Sequence, residues 1–322
     1  MNVTRSERAG RDKTDEMAMI KDMSGRVRML EPELLVGRAS SCGLRIDQRY
    51  VSARHAVLRW TGDRWELKDL GSRNGTFVDG QRIRPGEEIP ASRGTKIAFG
   101  KLDQQWEIVD DSAPSVMAVP LDGGEPLLLD GELLALPSVD DPLATIYRNA
   151  EGFWVLEKSD DGITPVRNLQ TFEVDGRVFR FCSLDNIAKT SIADFSPEFE
   201  VAHVELSFSV SRDEEYVELR ATCDGRTFDL GAPTHHYLLL TLARRRVEDA
   251  AQGLPETSCG WVYQEDIARD PSMSAPQLNL DVFRIRKQFA TLGLPDAANI
   301  VERRPRTRQL RIGTNHIQIS DL

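Results

Sequence analysis

Between residues 26 and 111 apolar and polar positions alternate in short runs: "ELLVGR", "GLRI", "HAVLRW", "RWELKDL", "TFVDG", "TKIAFG" and "QWEIV". Turn signals such as "TGD" and "DG" separate the runs, and no helical period intervenes. Period-two alternation broken by frequent turns predicts an antiparallel β-sandwich whose strands each send one face into a core. Residues 1–24 carry charges of both signs and few large apolar side chains, which predicts a flexible tail.

The pattern returns further along the chain. "MLEPELLVGR" (residues 29–38) aligns without a gap on "LLDGELLALP" (128–137), and "HAVLRWTGDRWELKD" (55–69) resembles "LATIYRNAEGFWVLEK" (143–158) with one extra residue. "TKIAFGKLDQQWEIV" is echoed by "LQTFEVDGRVFRFCSL". Internal similarity of this kind predicts a second, shorter sandwich over residues 115–187. A proline-bearing stretch of weak periodicity then marks a linker over 188–203.

Residues 204–322 change character. Three strand-like runs, "VELSFSV", "YVELRAT" and "TFDLG", precede helical periods. Thr234 is placed to cap a first helix whose apolar side is Leu238, Leu239 and Leu242, and "GWVYQEDIARD" predicts a short second helix. Ser274 and Gln277 form an S-x-x-Q capping box for a third helix, and Gly293 sits where its C-terminal cap belongs. Leu278, Val282, Ile285, Phe289 and Leu292 recur at helical spacing between those ends and predict its core face. Gln277, Leu280, Phe283, Arg284, Lys287 and Thr291 fall on the opposite face, with Arg286 on its flank. After the helix, "IVERR" and "QLRIG" read as a hairpin.

Charge changes this picture more than composition does. The chain of 322 residues has a formal net charge of −10, yet residues 282–312 carry +6, which leaves −16 for the rest. Such asymmetry predicts a local polyanion-binding surface on a molecule that otherwise repels polyanions. No apolar run approaches the ~20 residues of a membrane helix, and the first residues lack the apolar centre of a signal peptide, so a soluble, cytoplasmic protein without membrane contact is expected. The four cysteines lie far apart without a CxxC pair, and only His235 and His236 are adjacent; isolated buried thiols are expected, with no metal site and no cofactor. Paired carboxylates, a nucleophile elbow and a Walker loop are all missing from the sequence, which argues against an enzyme.

Two polar clusters stand where a plain sandwich needs none: Gly37-Arg38 at the end of a strand with "VSARHA" (51–56) after it, and "SRNGT" (72–76). An arginine grips phosphate in a bidentate, charge-assisted manner, a hydroxyl and loop N–H groups complete a cradle, and an asparagine amide can pin a peptide backbone. In order and spacing these residues resemble the forkhead-associated (FHA) domain, which binds phosphothreonine peptides; the resemblance covers residues 25–111. It implies that Arg38 and Ser52 contact the phosphate, that Arg54 and Arg73 help, and that Asn74 holds the peptide main chain. His55 would brace the loop, and Gly37 and Gly75 would permit tight backbone geometry. In the repeat, Leu136-Pro137 replaces Gly-Arg, Asp140 falls at the serine, Leu143 at the histidine, and no "NGT" follows. The second sandwich is therefore expected to be a degenerate, non-binding FHA-like copy.

Strands, three helices with the third basic, and a terminal hairpin are the plan of a winged helix. "LNLDVFRIRKQF" (278–289) resembles the recognition helix of OmpR/PhoB-type transcriptional regulators. The resemblance implies that Gln277, Leu280 and Arg284 approach base edges, that Arg286 and Lys287 grip phosphates, and that Arg303, Arg304, Arg306 and Arg308 lie on the wing. Asp281 and Phe283 depart from that family's usual polar or basic groups. The expected protein is multidomain and mainly β: an FHA β-sandwich, a degenerate FHA-like β-sandwich and an α+β winged helix. Its expected function is a transcriptional regulator with two partners, a threonine-phosphorylated protein and double-stranded DNA. The alternative is a phosphopeptide-binding scaffold whose winged helix contacts protein instead of DNA.

Overall fold

The computed structural model describes residues 17–149, 151–158, 162–184, 200–269, 273–304 and 307–322. The chain divides into two compact units, one formed by the described residues up to 116 with 182–184, the other by 117–181 and those from 200 onward.

The first unit is a sandwich. Its strands are β1 (Met19–Asp22), β2 (Val27–Met29), β3 (Glu33–Gly37), β4 (Leu44–Arg45), β5 (Ala56–Trp60), β6 (Trp65–Asp69), β7 (Thr76–Val78), β8 (Gln81–Arg82), β9 (Glu88–Pro90), β10 (Lys96–Phe99) and β11 (Gln105–Asp110). One sheet has the order β2-β1-β11-β10-β7-β8 and the other β4-β3-β5-β6-β9. Alternation places Leu34, Leu58, Trp65, Leu67, Ile97 and Ile108 in the core between them. The expected tail is shorter than 1–24: β1 pairs with β11, and Ile20 is buried. A four-residue strand is too short for its alternation to stand out from flanking charges. Residues 1–16 lie outside the described residues.

The second unit begins with β12 (Met117–Pro120), β13 (Leu127–Leu128), β14 (Leu133–Pro137), β15 (Pro142–Arg148), β16 (Trp154–Lys158), β17 (Gly162–Pro165), β18 (Thr171–Val174) and β19 (Arg177–Cys182). Their two sheets run β13-β12-β19-β18 and β14-β15-β16-β17. These orders match β2-β1-β11-β10 and β3-β5-β6-β9 strand for strand. Among the described residues β4, β7 and β8, the short strands flanking the loops that carry the polar clusters of the first sandwich, have no counterpart.

Then come β20 (Glu205–Val210), β21 (Val217–Cys223), β22 (Arg226–Asp229), helix α1 (His236–Ala251), β23 (Val262–Tyr263), α2 (Gln264–Ile267), α3 (Ala275–Ala290), β24 (Val301–Arg304), β25 (Gln309–Ile312) and β26 (Ile317–Asp321). They form a sheet of order β22-β21-β20-β26, three helices, and a sheet of order β23-β25-β24. Strand β26, which alternation did not announce, lies parallel to β20. Leu238, Leu239, Leu242, Leu278, Val282, Ile285, Phe289, Leu310 and Ile312 share one core. Ser274 caps α3, accepting from the Gln277 N–H, but the Gln277 side chain turns to Asp281 instead of closing the box. Thr234 does not cap α1: that helix starts at His236, which is buried with its Nε2 2.8 Å from Gln288 Oε1. The linker ends earlier than 203, since Val201 is buried in this core; residues 188–199 lie outside the described residues. Among the described residues no helix is long and apolar enough to cross a membrane. Cys42, Cys182, Cys223 and Cys259 are buried, and none of the four is in a disulfide.

Strands β14 and β16 are buried along both faces. One face fills the sandwich core. The other carries Leu133, Ala135, Tyr147 and Val155, which pack on Phe283 of α3 and on Ala298. A one-sided antiparallel sheet alternates apolar with polar residues, so runs as apolar as "LLALP" and "WVLE" require a cover on both sides.

Candidate functional site

At one end of the first sandwich three loops are laced together by hydrogen bonds. The Arg38 N–H donates to the Ser52 carbonyl (2.9 Å). Ser52 Oγ accepts from the Arg73 N–H (3.0 Å), and Asn74 Nδ2 donates to the Tyr50 carbonyl (2.8 Å). Arg38, Ser52, Arg73 and Asn74 are thus brought to one rim although up to 36 positions separate them. Gly37 allows the approach, because a Cβ there would lie 2.3 Å from the Ala53 carbonyl oxygen. Gly75 has φ +86°, a backbone state that L side chains rarely adopt.

His55 lies beneath this rim and is fully buried. Its Nδ1 accepts from the Ser52 N–H (3.0 Å), which leaves the proton on Nε2 to donate to the Gly75 carbonyl (3.2 Å). Burial pushes its pKa below the ordinary histidine value, against the opposing pull of the Gly75 hydrogen bond and Asp69. The neutral ring is therefore a strut between the 51–56 and 72–76 loops and does not face solvent.

Asp69 was not singled out by the sequence. At the end of β6, with 1% exposure, it accepts from the Gly71 and Ser72 N–H groups through Oδ1 (2.9 Å each). Its Oδ2 accepts from Ser72 Oγ (2.5 Å) and Thr76 Oγ1 (2.6 Å). Burial raises its pKa, but the hydrogen bonds outweigh burial and hold the carboxyl below the usual range. One buried carboxylate thereby shapes the whole "SRNGT" loop; the signal was an aspartate at a strand end three residues before the serine.

Arg38, Arg54 and Arg73, in the loops laced together here, are exposed, and Ser52 is half-buried. A rigid frame, several cations and a hydroxyl suit a dianionic group, because charge-assisted hydrogen bonds from preset donors cost little reorganisation on binding.

The residues expected at DNA are placed differently. Arg284, Arg304 and Arg308 are exposed, and Gln277 and Leu280 are half-buried. Arg304 stacks on Trp261 at 3.9 Å and donates to the Thr257 carbonyl. Arg286 is buried, donating to both carboxylate oxygens of Glu157 (2.9 and 3.1 Å) and to the Val301 carbonyl (2.6 Å). Arg303 lies 2.8 Å from the same carboxylate, and Lys287 pairs with Asp130. Arg286 is thus turned inward to the sheet and not outward to a phosphate, because a carboxylate from the preceding sandwich occupies its fork. Arg306 lies outside the described residues.

Comparison with known proteins bears on the same region of the chain. The FHA domain profile matches residues 34–100. The chain is 37% identical over 76 residues to the FHA domain-containing protein FhaB of Mycobacterium tuberculosis, covering 24% of this chain and 48% of that protein. It is 38% identical over 66 residues to the oxoglutarate dehydrogenase inhibitor of Corynebacterium jeikeium, covering 20% and 44%. Of each of these curated relatives the chain spans less than half the length. Among solved structures, Mycobacterium tuberculosis EmbR in complex with a low-affinity phosphopeptide is similar at 27% identity over 30% of this chain and 25% of EmbR, with a TM-score of 0.28. The family profile, the identity to FhaB and the laced loops lead to one conclusion: the N-terminal region of this chain carries an FHA domain.

Proposed function

We propose that this protein is a non-enzymatic regulator that docks a threonine-phosphorylated partner on its FHA domain and binds double-stranded DNA through its C-terminal region. The observation that carries the first half is the rim at which Arg38, Ser52, Arg73 and Asn74 meet, held from below by His55 and Asp69. FHA domains read phosphothreonine peptides, and the meeting of these residue types at one rim supports the same reading here. The second half is supported by the order sheet, three helices, hairpin, which is that of a winged helix, and by the exposed Arg284, Arg304 and Arg308. Titrating a phosphothreonine peptide library into wild type and Arg38→Ala tests the first half; equal affinity would overturn it. For the second, duplex binding that weakens steeply with salt, and weakens further when Arg304, Arg306 and Arg308 become alanine, is expected. Salt-independent binding would refute it.

A second reading keeps the phosphopeptide site and makes the C-terminal region a protein-contact module. The burial of Phe283 and Arg286 against β14–β16 favours it. Absence of duplex binding under all conditions, with phosphopeptide binding intact, would decide for that reading.

A further inference from the structure

The face of β14–β16 that points away from its own sandwich core does two things at once to α3. It buries Phe283 among Leu133, Ala135, Tyr147 and Val155. It also presents Glu157, on the same side of β16 as Val155, to the cations of α3 and β24. Glu157 is 4% exposed and receives Arg286 through both carboxylate oxygens and Arg303 at 2.8 Å, while Tyr147 donates its hydroxyl to Oε2 (2.7 Å). The Arg286 guanidinium lies 5.2 Å from the Tyr147 ring centroid. At the other end of the contact Asp130 holds Lys287. Burial alone would raise the Glu157 pKa, but the two guanidiniums and the Tyr147 hydroxyl hold it low, so the group is a carboxylate.

A carboxylate taken in the fork of one arginine and touched by a second has the charge and bidentate geometry with which arginines hold a phosphate. Three of the cations suited to a DNA backbone are therefore already engaged by acids of the preceding sandwich. We propose that this sheet face is an internal docking surface that withholds α3 and the β24–β25 hairpin from double-stranded DNA, with Glu157 standing in for a backbone phosphate. This rests on the DNA-binding reading given above. Once α3 leaves the sheet, DNA phosphates would take the places of Glu157 and Asp130 as partners of Arg286, Arg303 and Lys287. In the closed state the exposed Arg284, Arg304 and Arg308 remain for duplex while Arg286, Lys287 and Arg303 are engaged, so binding should be weaker and its salt dependence shallower than in the open state. Each phosphate contact adds about 0.9 to the slope of log affinity against log salt, so release of three cations steepens it by roughly 2.7.

The full-length chain and a fluorescently labelled duplex of mixed sequence test this, with binding followed across a salt series. Glu157→Gln removes the charge that holds Arg286 and Arg303 while keeping the side chain's shape. Asp130→Lys, at an exposed turn where the fold is not at risk, sets a cation against Lys287. Opening is monitored by hydrogen exchange of β14–β16. Both variants are expected to open, to bind duplex tighter than wild type, by at least about tenfold for Glu157→Gln, and to show a steeper salt slope; tenfold corresponds to about 1.4 kcal/mol. Equal affinity and slope in wild type and opened variants would overturn the masking while leaving DNA binding standing. If the opened variants bind no duplex at all, the DNA reading fails and this proposal with it.

Discussion

Asp69 never faces the ligand rim, yet its replacement should weaken the site as much as loss of a contact residue. Asp69→Asn keeps an oxygen for the Gly71 and Ser72 N–H groups but removes the charge from four hydrogen bonds and turns an amide NH2 toward the two hydroxyls. Hydrogen bonds to a charged group contribute about 1.5–3 kcal/mol against about 0.5–1.5 for neutral ones. Over four bonds the loss is on the order of 4 kcal/mol, of which about half is offset because a neutral group is cheaper to bury. A net ~2 kcal/mol lowers the melting temperature of a domain this size by about 8–16 °C. Because the same bonds set the "SRNGT" loop, the Arg73 N–H and Asn74 amide lose their fixed positions and phosphothreonine-peptide affinity should fall about tenfold or more. Differential scanning fluorimetry and peptide titration on the same samples measure both effects. Acid adds a further check. The folded carboxyl titrates below the unfolded one, so its stabilisation is complete above the unfolded pKa of ~3.9 and is lost as pH falls through the folded value. Asp69→Asn should remove that acid-dependent part. A variant that melts and binds like wild type would refute the assignment of Asp69 as the loop's anchor.

Three further outcomes are expected. Arg38→Ala should leave the melting temperature unchanged, since the side chain is exposed, and lower phosphopeptide affinity by roughly 10- to 150-fold, the equivalent of about 1.5–3 kcal/mol; calorimetric titration measures it. Gly37→Ala should disturb the rim, because the new methyl meets the Ala53 carbonyl carbon and oxygen of a packed backbone; loss of peptide binding together with a lowered melting temperature is the predicted pair. His55, His235 and His236 all have pKa values pushed down by burial, so each is neutral in the fold and their contribution is complete above the unfolded pKa of ~6.5. Stability should therefore decline as pH falls from ~6.5 toward the folded values, and a melting temperature that is flat across this window would contradict the buried neutral imidazoles.

How much of the site could be seen in the sequence differs between the two ends of the molecule. In the FHA domain the polar residues sit at strand ends in an order and spacing that resemble the family's motif, and Arg38, Ser52 and Asn74 were visible for that reason; the roles expected of them are those the resemblance implies. Asp69 was not, because an aspartate closing a strand is also ordinary turn chemistry, and only the return of the chain over it reveals four donors. In the C-terminal region the apolar stripe of α3 named its core face correctly, since Leu278, Val282, Ile285 and Phe289 are all buried. The opposite face was read as exposed, and there periodicity had no further information to give. Phe283 on that face and the unbroken apolar run of "LLALP" were two halves of one signal: each needed a cover, and each covers the other.

By itself the sequence determined what acts over a few residues. It set the alternation that makes hairpins, the Ser274 cap of α3, the glycines at tight approaches, and a cluster of cations in an acidic chain. Only the tertiary structure decided which partner each charge meets. Arg286 and Glu157 are 129 positions apart, and nothing local to either names the other. A charge count records that cations are present; whether they are free for a polyanion or already neutralised depends on which surfaces the fold brings together, because a guanidinium in a buried, bidentate contact no longer offers its donors or its field to solvent.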